Sequence, residues 1–376
     1  MTKTNTKNDK KDLIGGLGFY SFIYFLAKSS FLGMGSFLIF QKVTRDCYIS
    51  GIIGMLIGLL PLCSFIAIQN NKKGKDIIDL NINLFGKTLG SIINIILNIV
   101  VFIIAISLFF NVSLFANTQY IPETTGLYIQ ILIIMPIIYA LSKDITEISR
   151  VSQIILIINI SFYLISIFGL IPDIEISNIF PVLENKMSKI MSSAFLYTVF
   201  SVAPIFILTI IPKRKVLNST NNGRKIMLAY IVASLIFISL MLITNLVMGS
   251  NLIGIYRYPE YMVLKKISLF KIIERIESTV ALQYVFNIYI SIVLALFFIK
   301  ESLKKIIKNA KIQKYIPHVL CILMIVIIKI FFSKATFVYE IYNSIYTYIT
   351  GFGLIGLMML SHFTMYIKGK ISNKIA

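Results

Sequence analysis

Ten stretches of this sequence are long, apolar and almost free of charge. A helix needs about 20 apolar residues to cross the hydrocarbon core of a bilayer. The windows Tyr48–Asn71, Thr88–Pro122, Thr124–Ser142, Val151–Pro172, Ile190–Pro212, Ile226–Tyr256, Ser278–Ile299 and Ile341–Ile367 reach or closely approach that length. Leu13–Gln41 and Tyr315–Ser333 join them if Lys28 and Lys329 are tolerated inside. A soluble domain needs more polar surface than a chain that is 57% hydrophobic and 14% charged can supply. Closed barrels also span membranes, but they need short alternating strands, and runs such as Ile92–Phe110 are apolar all round. The expected fold class is all-α integral membrane, with ten transmembrane helices.

The formal charge of +20 would suit a nucleic-acid binder if it were clustered on one surface. It alternates with the spans instead. With the N-terminus inside, the inner segments carry 24 Lys and Arg and the outer segments 10. That asymmetry is the positive-inside pattern. It predicts cytoplasmic termini and requires no nucleic acid. The division is a cytoplasmic tail (1–12), one transmembrane domain (13–367) and a second cytoplasmic tail (368–376). The first span lacks a cleavage site and reads as uncleaved. Cys47, Cys63 and Cys321 have no disulfide-like spacing.

Ten spans divide into five and five, about 13–171 and about 188–367. Many transporters pair two such halves as inverted repeats and place the binding site where the first helix of each half is broken. The first span carries Gly33 and Gly35 after Lys28, Ser29 and Ser30, and the sixth carries Ser201 and Pro204 in its middle. Glycine lets backbone unwind, and proline removes a donor and clashes with the preceding turn. Both spans are expected to be broken, at corresponding places. Small residues also serve close helix packing in membranes, so each residue alone has that second reading.

Three polar segments read as surface helices: 70–87 and 300–315 on the inside and 260–277 on the outside. In 300–315, Leu303, Ile306, Ile307 and Ala310 fall at helical spacing against lysines, which suits an anionic leaflet; a plain basic loop is the alternative. In 260–277, Val263, Leu264, Ile267, Phe270 and Ile273 share a face. Arg257, Glu260, Glu274, Arg275 and Glu277 then read as a partner-docking face, a lid, or a local surface ion-pair network.

Arg45–Ser50 reads RDCYIS directly after the first span. It resembles the Arg-Asp-Ala-Trp-hydrophobic-Ser pattern that opens the second span in permease-like B subunits of spore germinant receptors. Tyr258-Pro259-Glu260, followed by ISLFKIIERIE at 267–277, resembles that family's outer-loop pattern before the eighth span. Length, span number and orientation fit the same family. The chain departs from it at Cys47–Tyr48, where Ala-Trp is usual, and at Phe40, near where a proline is often found. The resemblance implies the five-plus-five fold of the amino acid-polyamine-organocation superfamily. It also implies a nutrient-sensing role in the spore inner membrane (or a cell membrane), with a larger membrane A subunit and a lipoprotein C subunit as partners.

An amino-acid ligand brings a carboxylate and an ammonium. Backbone N–H groups at a half-helix start suit the carboxylate. Ser29, Ser30, Gly33, Met34 and Gly35 would form one wall, and Ser201, Val202, Ala203 and Pro204 the other. In the permease fold the third and eighth spans close the pocket, which brings in Phe110 (with Phe109 and Asn111) and Tyr284. Lys28 is buried in a span with no carboxylate in the middle of any span to pair with. Its ammonium either replaces the sodium ion that some superfamily members hold, or carries a proton, with Asn287 and Ser291 as neighbours; alternatively it faces a water-filled vestibule. Lys329 can snorkel to the interface. His318 and His362 are too isolated to make a metal site. No phosphate loop, cofactor fingerprint or nucleophile elbow is present, so neither enzyme activity nor a cofactor is expected. The leading reading is a germinant sensor for a small nutrient. The alternatives are a proton-coupled amino-acid permease and a ligand-free scaffold subunit.

Overall fold

In the computed structural model the described residues are mostly helical and joined by short connections. The structure describes residues 13–71, 74–217, 222–265, 277–332 and 346–375. The helices are α1 (Gly16–Lys28), α2 (Ser36–Val43), α3 (Cys47–Gln69), α4 (Ile77–Gln119), α5 (Gly126–Leu141), α6 (Ile145–Leu170), α7 (Met187–Val202), α8 (Asn222–Met248), α9 (Pro259–Leu264), α10 (Glu277–Ile306), α11 (Ala310–Phe331) and α12 (Leu357–Ile375). A 3-10 run, Ala203–Ile210, follows α7, and a π-type run, Ile349–Gly356, precedes α12. Among the described residues eight helical segments are long and apolar enough to span a membrane, and Gly126–Leu141 is a shorter apolar one. The first of the eight, Gly16–Gln69, contains two interruptions: the break after α1 and a 3-10 turn at Thr44–Asp46 with Thr44 at φ 34°.

Small residues set the packing. α3 lies against α7 at Gly54, where an added Cβ would come within 2.6 Å of the Ala194 carbonyl oxygen. Thr198 Oγ1 uses that closeness to donate to Gly54 O at 2.8 Å. Close backbone approach replaces the hydrophobic effect as the adhesive when lipid is the solvent. Elsewhere polar pairs bind helix to helix, as where Asn98 Nδ2 of α4 donates to Ser302 Oγ of α10 at 2.7 Å.

Contacts gather the loops into two groups. At one end Ile14 N donates to Lys215 O (2.8 Å), Gln69 Nε2 to Ile211 O (2.8 Å) and Lys368 Nζ to Leu84 O (2.6 Å), and Lys305 pairs with Asp76 and Asp79. At the other end Asn178 Nδ2 donates to Leu246 O (2.8 Å) and Arg45 pairs with Glu184 (2.7 Å). The first group contains the lysine-rich segments.

Three surface-helix expectations meet the structure differently. Residues 77–85 are helical, but the chain kinks at Gly86 (φ 82°, ψ 173°) and folds back, so that Asn81 Nδ2 reaches Asn94 Oδ1 at 2.9 Å. Residues 300–315 do not form a separate surface helix. α10 runs on to Ile306 because Lys300 Nζ caps Leu141 O at 2.8 Å and Lys305 finds its carboxylates; α11 starts at Ala310. Of 260–277, α9 is short and largely buried, and 266–276 lie outside the described residues, with Glu274 and Arg275 among them. Glu260 is not on a surface at all: it is wholly buried. The described part of this connection folds Tyr258 and Glu260 inward because Val263 and Leu264 pack against the bundle.

Asp46 fixes the 171–186 connection to the first helix pair. Its carboxylate is fully buried and accepts from Leu183 N (2.8 Å), Asn185 N (2.9 Å) and Asn185 Nδ2 (2.9 Å). Asp46→Ala would leave two backbone donors unpaired, at a cost of about 3 kcal/mol. Thermal unfolding of the detergent-purified protein should show a midpoint several degrees lower, with Asp46→Asn in between.

Candidate functional site

The site begins where α1 stops. Lys28 ends the helix, and Ser29 Oγ turns back to Leu26 O at 2.8 Å. Leu32 is extended (φ −61°, ψ 120°) and Gly33 is left-handed (φ 73°, ψ 1°) before helix resumes. Only glycine takes that φ without strain. Unwound backbone inside a membrane protein needs partners, and Leu32 O receives one from Asn111 Nδ2 of α4 at 2.7 Å. Tyr258, from the connection between α8 and α9, then covers the break. Its hydroxyl donates to Asn111 Oδ1 at 3.3 Å, and its ring occupies the space a Cβ on Gly33 would need. Burial pushes the Tyr258 phenol up to about 12, against the pull of neighbouring Arg257, so it stays a neutral donor.

On the other side of the break lies Lys28. Its Nζ donates to Tyr24 Oη at 2.9 Å and to Asn159 Oδ1 at 3.4 Å, and Tyr24 Oη donates to the same Asn159 oxygen at 2.8 Å. Tyr24 lies one turn before Lys28, which puts the ammonium 4.7 Å from its ring centroid. Asn159 Nδ2 donates to Gln283 O at 3.2 Å. A cavity of about 40 Å³ opens here, lined by Lys28, Leu32, Asn159, Gln283, Tyr284 and Asn287, with Phe237 and Leu240 as its apolar wall. Gln283 Nε2 and Asn287 Oδ1, one turn apart on α10, have no hydrogen-bond partner among the described residues. One cation, one free amide donor and one free amide acceptor therefore share a single small space.

Of the residues singled out from sequence, the structure gathers Lys28, Tyr284 and Asn287 around this cavity. Ser291 does not line it. Its Oγ donates one turn further on, to Asn287 O (2.8 Å) and Phe25 O (3.4 Å). Ser29 and Ser30 adjoin Lys28, and Ser30 Oγ pairs with Tyr346 Oη at 3.3 Å. Gly33, Met34 and Gly35 form the break, and all three are buried. Phe110 packs on Phe332 with centroids 4.9 Å apart. Ser201 pairs with Tyr230 Oη at 3.2 Å, Val202 ends α7, and Ala203 and Pro204 open the buried 3-10 run. The second interruption thus borders α8 and does not line the Lys28 cavity. His362 Nδ1 meets Ser64 Oγ at 3.1 Å. Among the described residues no three His, Cys, Asp or Glu side chains cluster as metal ligands do.

Sequence reasoning missed Tyr24, Asn159 and Gln283. A signal existed for Asn159, which is a lone amide within an apolar run of α6 (IILIINISFYLI). Polar residues in such positions have partners or functions.

The family model described as "Spore germination protein" matches residues 19–338. The chain belongs to that family. No curated protein matches it. Among solved structures, two mutants of the Eremococcus coleocola manganese transporter, a glutamate changed to glutamine and to alanine, resemble it with a TM-score of 0.51 each and 11% identity, over 97% of this chain and 78% of theirs. At that identity the likeness is one of fold. This member of the spore germination family is therefore an all-helical, multi-pass membrane protein with a transporter-like fold, broken in its first helix and tightened to a 3-10 run after α7.

Gly33→Ala should cost about 2–4 kcal/mol, the sum of left-handed strain and a displaced Tyr258 ring. Adding Tyr258→Ala should recover the steric part and not the strain. A double-mutant cycle in thermal unfolding reads the two apart.

Proposed function

We propose that this protein is the nutrient-sensing subunit of a spore germinant receptor, binding a small amino acid beside Lys28 and passing the change to its partners. The observation that carries the reading is the ammonium of Lys28 at a broken helix, with no carboxylate partner among the described residues, facing a cavity that also holds an amide donor and an amide acceptor without partners among them. A ligand carboxylate would take Lys28 Nζ and Gln283 Nε2, and the ligand ammonium would take Asn287 Oδ1. A cation buried in a membrane protein is costly unless something negative or hydrated meets it. A carboxylate ligand would remove that cost and supply binding free energy from the same contact.

The cavity has room for about three waters at its present size. On this reading the present state is closed, and an amino acid enters by displacing water and pushing back Phe237 and Leu240. Those side chains belong to α8, and Leu32 belongs to the break, so binding is felt at both. The basic end of the bundle faces the cytoplasm, with both termini there, and the membrane is the spore inner membrane. Ten crossings in two inverted halves follow if Gly16–Gln69 is divided at Thr44–Asp46 and Gly126–Leu141 also crosses. The partners are the A subunit and the lipoprotein C subunit, and the role is not enzymatic.

The purified protein in nanodiscs should bind one or more members of an L-amino-acid panel and reject the corresponding amides. Lys28→Met should weaken binding about 10- to 100-fold, as loss of a charge-assisted hydrogen bond does. Equal binding of acids and amides would count against a carboxylate-recognising Lys28. Accumulation of the same amino acid in proteoliposomes would show a permease instead of a sensor.

A further inference from the structure

Glu260 is a glutamate with 0% relative exposure. Neither carboxyl oxygen has a hydrogen-bond partner of ordinary geometry among the described residues. The Ser36 hydroxyl lies beside it, but that hydroxyl already donates to Phe31 O at 3.1 Å, within the broken segment of the first helix. No Lys or Arg among the described residues forms an ion pair with it. A carboxylate left buried with neither donor nor cation is strongly disfavoured. The group escapes that cost by holding a proton.

Its surroundings are poor in charge. From α3, Cys47 faces it, with Asp46 and Arg45 next in the chain; Asp46 is occupied by Leu183 and Asn185, and Arg45 by Glu184. Its own connection supplies Arg257, Tyr258 and Tyr261. The α2 segment carries Lys42, nearly two turns beyond Ser36, and α10 carries Tyr284, which packs near Tyr258. The C-terminal half of α8 supplies no titratable side chain, but it brings Thr244 and Asn245, both wholly buried, and Thr244 Oγ1 and Asn245 Oδ1 lack partners among the described residues. Burial is the dominant influence on the carboxyl and pushes it up to about 7, with Ser36 acting weakly the other way.

We infer that Glu260 is a proton-binding site that latches the outer connection to the break in the first helix. Protonated, it stays inside, and α9 keeps Tyr258 seated over Gly33. When the proton leaves to the outer solution, the carboxylate has no cation among the described residues to neutralise it and is driven toward water. That movement lifts Tyr258 and uncovers the Asn111–Leu32 contact. The linkage has a definite sign. A carboxyl whose folded value is raised contributes stability that is fully present below the ordinary carboxylate range and is lost as pH rises through about 7. The inference needs no particular ligand at Lys28.

The test is infrared spectroscopy of the protein in nanodiscs, titrated across neutral pH, together with thermal unfolding of wild type and Glu260→Gln. The wild type should show a protonated-carboxyl stretching band that disappears as pH rises through neutrality, while its unfolding midpoint falls by several degrees. Glu260→Gln should lack the band and show a flat midpoint over the same range. A wild type with no protonated band at slightly acid pH would overturn the inference, and that reading requires no mutant to fold. A band and a pH-dependent midpoint that both persist in Glu260→Gln would also overturn it. So would stabilisation by sodium chloride over choline chloride that requires Glu260, because the site would then hold a metal cation.

Discussion

Hydrocarbon offers backbone no hydrogen bonds, so any unwound residue in a membrane protein must be answered by another part of the chain. Here the carbonyl of Leu32 is answered by Asn111 at 2.7 Å. Much of the site follows from that one bond. It fixes α4 against the break and turns Asn111 so that its oxygen can accept from Tyr258. It also leaves Leu32 as the partition between the outer connection and the Lys28 cavity. Gly33 makes the arrangement possible, since its left-handed backbone admits the turn and its missing Cβ admits the Tyr258 ring.

The break has unlike chemistry on its two sides. Toward α6 and α10 it meets a cation and amides; toward the connection around α9 it meets a phenol bonded to Asn111 and a carboxyl without partners among the described residues. Packed interiors shift between discrete arrangements more readily than they deform. A ligand that expands the cavity and a proton that leaves the latch would then both act on the same few residues, Leu32 to Ser36. On the proposed reading this is how a transporter-like fold serves a sensor: the gate is kept and its movement is passed to neighbouring subunits.

Much of this was legible in the sequence because the bilayer constrains composition so strongly. Charge-free windows gave the helices, and Gly33, Gly35 and Pro204 marked the places where regular α-helix fails. Lys28 was conspicuous as a cation inside an apolar run. What stayed hidden was pairing. Asn159 and Gln283 acquire meaning only when α6 and α10 are set against α1, and sequence carries no such distance. Glu260 misled because a glutamate in a polar outer segment looks solvated; its burial depends on Val263 and Leu264 drawing α9 into the bundle. The basic run at 300–315 misled for a related reason. Lysines look alike whether they face lipid headgroups or, like Lys300, cap a buried carbonyl.

The account centres on a carboxylate meeting Lys28 at the broken first helix. A structure of the protein with an amino acid that it binds tests this directly. The account predicts a ligand carboxylate within hydrogen-bond distance of Lys28 Nζ, with Phe237 and Leu240 displaced and the Asn111–Leu32 bond intact. A ligand seated elsewhere, with Lys28 still held only by Tyr24 and Asn159, would contradict it.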